Sequence, residues 1–298
     1  MCIHADDILL AAEHSSHDKL LADLAKSIQL KPAVTLGAEW QLYLGKLWRR
    51  TEHGFEVKIP LAYDQSMQAE LGLDRCRPAS NPGWTAGERC QDDTLKLNAL
   101  EAGSYRRVVG QLLWLIADRP DLAFTAKQLS RRLQDPSQQD MANLKRTIRF
   151  TRSTSDYVRS LNYNANAPPE LCIFSNAAWA NSSDYRGTPG GVAMCQDFVI
   201  SSWARTQATV SQSTAASELI AGNLAVAEGT FLRHLFMEIQ APMALKVYTD
   251  AAATYGFALR TGVGRMRHLT IKAMYVQQEV KAGRVEMRRV AGIDNVAD

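Results

Sequence analysis

Two adjacent carboxylates, Asp6 and Asp7, stand in the middle of "CIHADDILLAA", residues 2–12, an otherwise apolar run near the start of the chain. A strand that buries itself has no place for two bare charges, so the pair needs a reason. Positive charge is clustered as well. From Arg260 to Arg289 there are eight Lys or Arg against the two acids Glu279 and Glu286, and from Arg106 to Arg152 ten against four, although the net charge is only +3. Such local basic density suits a phosphate backbone; solvated helix faces are the plainer reading. Cys2, Cys76, Cys90, Cys172 and Cys195 are odd in number and scattered, with no C-x-x-C pair. They are expected to be reduced thiols, with neither a disulfide framework nor a zinc site.

These residues must be positioned by about two domains' worth of chain, 298 residues of soluble, globular composition. No apolar stretch reaches the roughly 18 residues of a membrane span, and Asp6 and Asp7 fall where a signal peptide would be apolar. An intracellular protein, cytoplasmic or nuclear and without a membrane partner, is expected. Residues 2–12 read as a short strand and turn, followed by a helix capped at Ser15 or Ser16 and running to about Leu30. "EWQLYLGKLWRRTEHGFEVKI" reads as two strands around a Gly54 turn, and Tyr63 to Leu73 as a short helix. Tyr105 to Phe150 is helical in pattern and broken at Pro120 and Pro136. "NYNANAPP", Asn162 to Pro169, is rich in turn-formers and marks the expected boundary between domains 1–162 and 163–298. After it come three strands, a long helix from about Ser213 with Ile220, Leu224, Phe231, Leu235 and Ile239 on one stripe, a strand, two helices and a last strand. The class is α/β with a mixed sheet.

In order along the chain stand "IHADDILLA", "YLGKLWRR", "YRRVVGQLLWLIADRPDLAFTAKQLSRRLQDP", "SNAAWA", "RGTPGG", "SWARTQATVSQSTAASELIA", "VYTD", "RHLTIK" and "VAD". This series resembles the reverse transcriptase and RNase H portion of the Pol polyprotein of copia-type LTR retrotransposons, over essentially the whole chain. The resemblance implies a palm, thumb and connection remnant in 1–162 and an RNase H-like domain, a mixed five-stranded sheet with helices, in 163–298. It makes Asp6 and Asp7 the counterpart of the polymerase's Y-x-D-D turn, with His4 where the tyrosine stands. There the pair holds Mg²⁺ ions together with a third carboxylate from an earlier palm strand. That strand and the fingers are not in this chain, so no polymerase activity is expected from the chain alone.

The resemblance likewise implies hydrolysis of the RNA in an RNA–DNA hybrid by a metal-bound water, with four acids on two Mg²⁺ or Mn²⁺ ions about 4 Å apart. Their positions here are Asn176, Glu218, Asp250 and Asp298, so three match and the first is an amide. Losing that carboxylate is expected to cost on the order of a thousandfold or more in rate. Asp184 and Asp294 are the nearby acids that could stand in, and Asp298 is expected on a frayed terminus. Glu218 could also be an ordinary exposed helical residue, and Asp250 the N-cap of a helix beginning at Ala251. His268 corresponds to a residue near the scissile phosphate, or is a surface helix residue. Arg265, Arg267 and Lys272 would contact hybrid backbone, or form a solvated face. Trp179 and Trp203 read as core aromatics rather than stacking platforms. Three functions follow: a reverse transcriptase and RNase H fragment, a non-catalytic nucleic-acid-binding RNase H fold, and a decayed mobile-element product. Asn176 and His4 favour the latter two; oligomeric state is not legible.

Overall fold

A computed structural model describes residues 2–5, 7–83, 95–181, 184–262 and 274–298. β1 (Cys2–His4) and β2 (Asp7–Leu9) form an antiparallel hairpin with His4 opposite Asp7, and Ala5 takes a φ of 48° in the turn. The hairpin is a two-stranded sheet of its own, and Ile3 and Leu9 stay exposed. α1 (His14–Ala25) ends before the expected Leu30 and gives way to turns at Lys26 to Ile28.

The next segment holds three strands rather than two: β3 (Gln41–Tyr43), β4 (Lys46–Arg50) and β5 (Gly54–Lys58). Leu44 and Gly45 join the first two with φ of 50° and 75°, the pair of positive angles that a two-residue hairpin demands. α2 (Leu61–Glu70), α3 (Ala99–Leu115), a 3₁₀ turn at Pro120–Leu122, α4 (Ala123–Ser130) and α5 (Gln138–Ser153) follow, broken at the two prolines. Capping boxes start two of them, Asn98 with Glu101 on α3 and Ser137 with Asp140 on α5. Their shared core is built on Met67, Tyr105, Leu112, Leu129, Leu144 and Ile148, and the buried Tyr105 hydroxyl donates to the Leu129 carbonyl at 2.8 Å. β6 (Arg159–Asn162) then returns to β5 and completes a sheet in the order β3-β4-β5-β6. A Cβ at Gly54 would lie 2.0 Å from the Leu161 carbonyl oxygen, so only glycine lets β6 approach there.

β7 (Glu170–Ala178), β8 (Thr188–Cys195) and β9 (Phe198–Ala204) form an antiparallel meander. α6 (Thr214–Glu238) crosses back, β10 (Ala244–Thr249) pairs parallel with β7, α7 (Ala252–Leu259) and α8 (Met274–Lys281) follow, and β11 (Glu286–Arg289) pairs parallel with β10. The sheet order is β11-β10-β7-β8-β9, the mixed α/β architecture expected from the sequence. The stripe read for α6 faces the core only in part: Leu224 packs against it, but Phe231, Leu235 and Ile239 are exposed, and the buried face is mostly small, with Ala216, Leu219, Gly222, Ala225, Val226 and Gly229. A Cβ at Gly229 would sit 2.7 Å from Leu245 and 2.9 Å from Ile173, so the small face lets the helix lie close on β7 and β10.

Cations from the first half reach into the second. Lys127 of α4 donates to the Thr188 hydroxyl at 2.6 Å, and Arg131 pairs with Asp184 at 2.8 Å. Asp118, buried after α3, pairs with Lys46 of β4 at 2.5 Å and with Arg159 of β6 at 3.3 Å. Arg159 goes on to donate to the carbonyls of Val199 and Ile200 on β9. Among the described residues no helix is long and apolar enough to cross a membrane.

Candidate functional site

Four elements deliver the residues that the sequence picks out. β7 buries Leu171, Ile173 and Ser175 in alternation and leaves Asn176 half-buried toward its C-terminal end. β10 runs parallel beside it, and the register that sets Thr249 opposite Ser175 brings Asp250, just beyond β10, to the same end of the sheet. The C-terminal ends of parallel strands are where α/β sheets place their sites. α6 is capped by the Ser213 hydroxyl, which accepts from the Ala216 N–H at 3.2 Å, and this sets Glu218 in the helix's first turns.

Asp298 is delivered by Asn295, which the sequence reading passed over. Asn295 is 5% exposed. Its amide donates to the Ser175 carbonyl at 3.1 Å, its side-chain oxygen accepts from the Ala297 N–H at 3.2 Å, and its carbonyl accepts from the Asp298 N–H at 3.0 Å. The segment therefore winds on one buried residue and is pinned to β7 beside Asn176, not frayed as expected. An Asn three residues before an acid is a turn-former's spacing, and that was the available signal.

The four positions meet as follows. Asn176 Nδ2 donates to Asp298 Oδ1 at 2.8 Å, and Asn176 Oδ1 accepts from the Ala177 N–H at 2.6 Å. The same N–H reaches Glu218 Oε1 at 3.3 Å, while Glu218 Oε2 is buried with no hydrogen-bond partner among the described residues. Burial first, and then the charges of Asp250 and Asp298, push the Glu218 carboxyl up to about 7. Glu218 thus keeps its proton to a higher pH than an ordinary glutamate.

This arrangement does not fit a pair of divalent ions. A cation needs acceptors, and Asn176 presents an N–H to its neighbour where the resemblance calls for a carboxylate. Among the described residues no group of three His, Cys, Asp or Glu is disposed to hold a metal. Asp184 is engaged by Arg131 at 2.8 Å and Arg186 at 3.5 Å, which leaves it poorly suited to stand in.

The other residues are placed unevenly. Asp7 is exposed at the start of β2, and Asp6 lies outside the described residues, as do Arg265, Arg267, His268 and Lys272. Asp250 is not an N-cap: that position is Ala251, with no side-chain cap, and Asp250 instead acts on Glu218. Trp203 is in the core as expected. Trp179 is 44% exposed, held by its indole N–H on the Ser211 carbonyl at 2.9 Å.

The raised Glu218 carboxyl makes stability depend on pH. Between the usual glutamate value of 4.5 and about 7 the folded state holds the extra proton, so stability falls as pH rises through that window, and the penalty is fully present above it. Glu218→Gln keeps an acceptor oxygen and removes the ionisation. Its melting temperature is expected to gain on wild type steadily from about pH 5 to about pH 8. A gap that does not change with pH would refute this.

No family model matches the chain. The retrovirus-related Pol polyprotein from transposon RE2 of Arabidopsis thaliana is 24% identical over 302 residues, all of this chain and 20% of that protein. That from transposon TNT 1-94 of Nicotiana tabacum is 22% identical over 313 residues, again the whole chain and 23% of the relative. Secreted RxLR effector protein 161 of Plasmopara viticola is 30% identical over 130 residues, 43% of this chain and 90% of that protein. Among solved structures, LC11-RNase H1 is similar at 10% identity and a TM-score of 0.34, over 43% of this chain and 88% of that one. Foamy viral protease-reverse transcriptase is similar at 11% and 0.27, over 63% and 35%. The chain spans about a fifth of the length of the full-length Pol relatives. Along its whole length the chain is thus similar to copia-type retrotransposon Pol polyproteins, and its second half carries the five-stranded mixed sheet described above.

Proposed function

We propose that residues 163–298 are an RNase H-like domain that binds nucleic acid, an RNA–DNA hybrid first of all, with its nuclease silenced at Asn176. Residues 1–162 are the reverse transcriptase part, in which Asp6 and Asp7 correspond to the metal-binding turn of the polymerase. The observation that carries the silencing is the Asn176 amide donated to Asp298, where hydrolysis by two-metal chemistry calls for a carboxylate. The metal implied by the family is Mg²⁺ or Mn²⁺, and Asn176 disfavours it in this copy. Arg265, Arg267, Lys272 and His268 are the proposed contacts to the hybrid.

The test is Mg²⁺-dependent cleavage of a labelled RNA–DNA hybrid by the wild-type chain and by Asn176→Asp. Cleavage by the variant alone supports the reading; equal cleavage by both overturns it. Binding is checked separately. Log affinity for the hybrid should fall linearly with log salt, with a slope near −3 to −4 if about four phosphates are contacted. A slope near zero removes the nucleic-acid reading and leaves a decayed product.

A further inference from the structure

We infer that Asn176 is this chain's substitute for a site cation: its amide, together with that of Asn295, ties the segment Gly292–Asp298 to β7, so the carboxylates at this end of the sheet are held together without a divalent ion. The inference rests on the identification of the site made above, but it concerns what keeps the site folded, not whether it cuts.

Asp250 and Asp298 both act electrostatically on Glu218 at one end of β7 and β10, and Gly292, at the start of the segment that ends in Asp298, lies close to Asp250. Like charges brought together out of water repel, and a fourth carboxylate on β7 would add to that. An acid cluster of this kind is ordinarily neutralised by a bound cation. Here the work is divided between two N–H groups. The Asn176 amide carries no charge and gives Nδ2–H to Asp298, and its oxygen meets the Ala177 N–H, which also reaches Glu218. One side chain thereby removes a negative charge from the cluster and supplies a donor to it.

The contact between Asn176 and Asp298 is partly open to solvent, and alone it would add little. It is made at the end of a segment already fastened on the buried Asn295, whose amide donates to the Ser175 carbonyl next to Asn176 on β7. Gly292 lies at the other end of the segment, where a Cβ would come 3.5 Å from Asp250 Oδ2. The segment therefore runs past Asp250 to Asp298, and two amides hold it to one strand. An Asp at position 176 turns the donor into a fourth negative charge, and Asp298 then faces a carboxylate instead of an N–H.

The experiment is thermal unfolding of the full chain as wild type, Asn176→Asp and Asn176→Ala, each in EDTA and in millimolar MgCl₂. Wild type should melt at the same temperature in both. Asn176→Asp should melt several degrees lower in EDTA and recover in MgCl₂, because a ligand that binds only the folded state raises its melting point. Asn176→Ala should melt lower in both, without recovery. Stabilisation of wild type by MgCl₂ to the extent seen for Asn176→Asp overturns the inference, as does an Asn176→Asp chain as stable as wild type in EDTA. Should Asn176→Asp not fold, hydrogen exchange on wild type decides. Protection of the Ala177 and Asp298 amides that is present in EDTA and unchanged by MgCl₂ supports the inference, and protection that appears only with MgCl₂ overturns it. The two readings fail separately. Cation-rescued stability without cleavage by Asn176→Asp counts against the silenced nuclease alone, and cleavage by that variant with a cation-stabilised wild type counts against the amide substitute alone.

Discussion

Asn176→Asp is expected to raise Mg²⁺-dependent cleavage of an RNA–DNA hybrid about a thousandfold or more over wild type, equivalent to about 4 kcal/mol of transition-state stabilisation. The size follows from what the single atom change does. An amide offers a cation one neutral oxygen and turns N–H donors toward it, whereas a carboxylate offers two oxygens and a full charge. Glu218 is placed by the capped start of α6, Asp250 by the β7–β10 register, and Asp298 by the winding on Asn295. The substitution also removes the donor that now occupies Asp298. The double variant Asn176→Asp with Glu218→Gln should be inert, which separates a restored site from a contaminating nuclease. Wild-type cleavage at the rate of the single variant would show that the amide is no obstacle.

Asp118→Ala is expected to destabilise the fold by about 3–5 kcal/mol, the range for removing one partner of a buried ion pair. Among the described residues Asp118 is the one carboxylate paired with either Lys46 or Arg159, and its side chain is 7% exposed against 20% and 15% for the two cations. Without it, two largely buried positive charges, one on β4 and one on β6, lose the carboxylate they share. Among the described residues Lys46 keeps the face of the Trp114 ring, 5.4 Å away, and Arg159 the carbonyls of Ala117, Val199 and Ile200. Urea unfolding followed by circular dichroism measures the loss. A change below about 1 kcal/mol would mean that solvent reaches the cations and that the triad is an ordinary surface pair.

Much of this architecture could be read from residue order, because period and punctuation agree with tertiary packing in the long elements. The two prolines break the helical run where they stand, Ser213 caps α6, and the three strands after Asn162 alternate as strands do. What escaped was decided by contacts distant in sequence. β6 is four residues without a strong pattern, and it exists because Gly54 leaves room for it. The Leu44–Gly45 turn puts a leucine at positive φ, which no composition rule anticipates. The stripe on α6 was drawn through its largest residues, yet close approach to β7 and β10 selects the small ones. At the site, residue types were legible from the family motifs while their pairing was not. That Asn176 would donate to Asp298, and that Asn295 would hold Asp298 in reach, depends on how the chain from Gly292 onward packs against β7.

The Arg159 contact has a bearing on how the two halves can be separated. β9 is the outer strand of its sheet, and two of its carbonyls are already taken by a guanidinium from the other half, with α4 and the 3₁₀ turn lying along the same strand. The first half therefore acts as a guard against templated strand addition. Without residues 1–162, β9 would lose that guard. Residues 163–298 made alone are therefore expected to self-associate through open β9 edges.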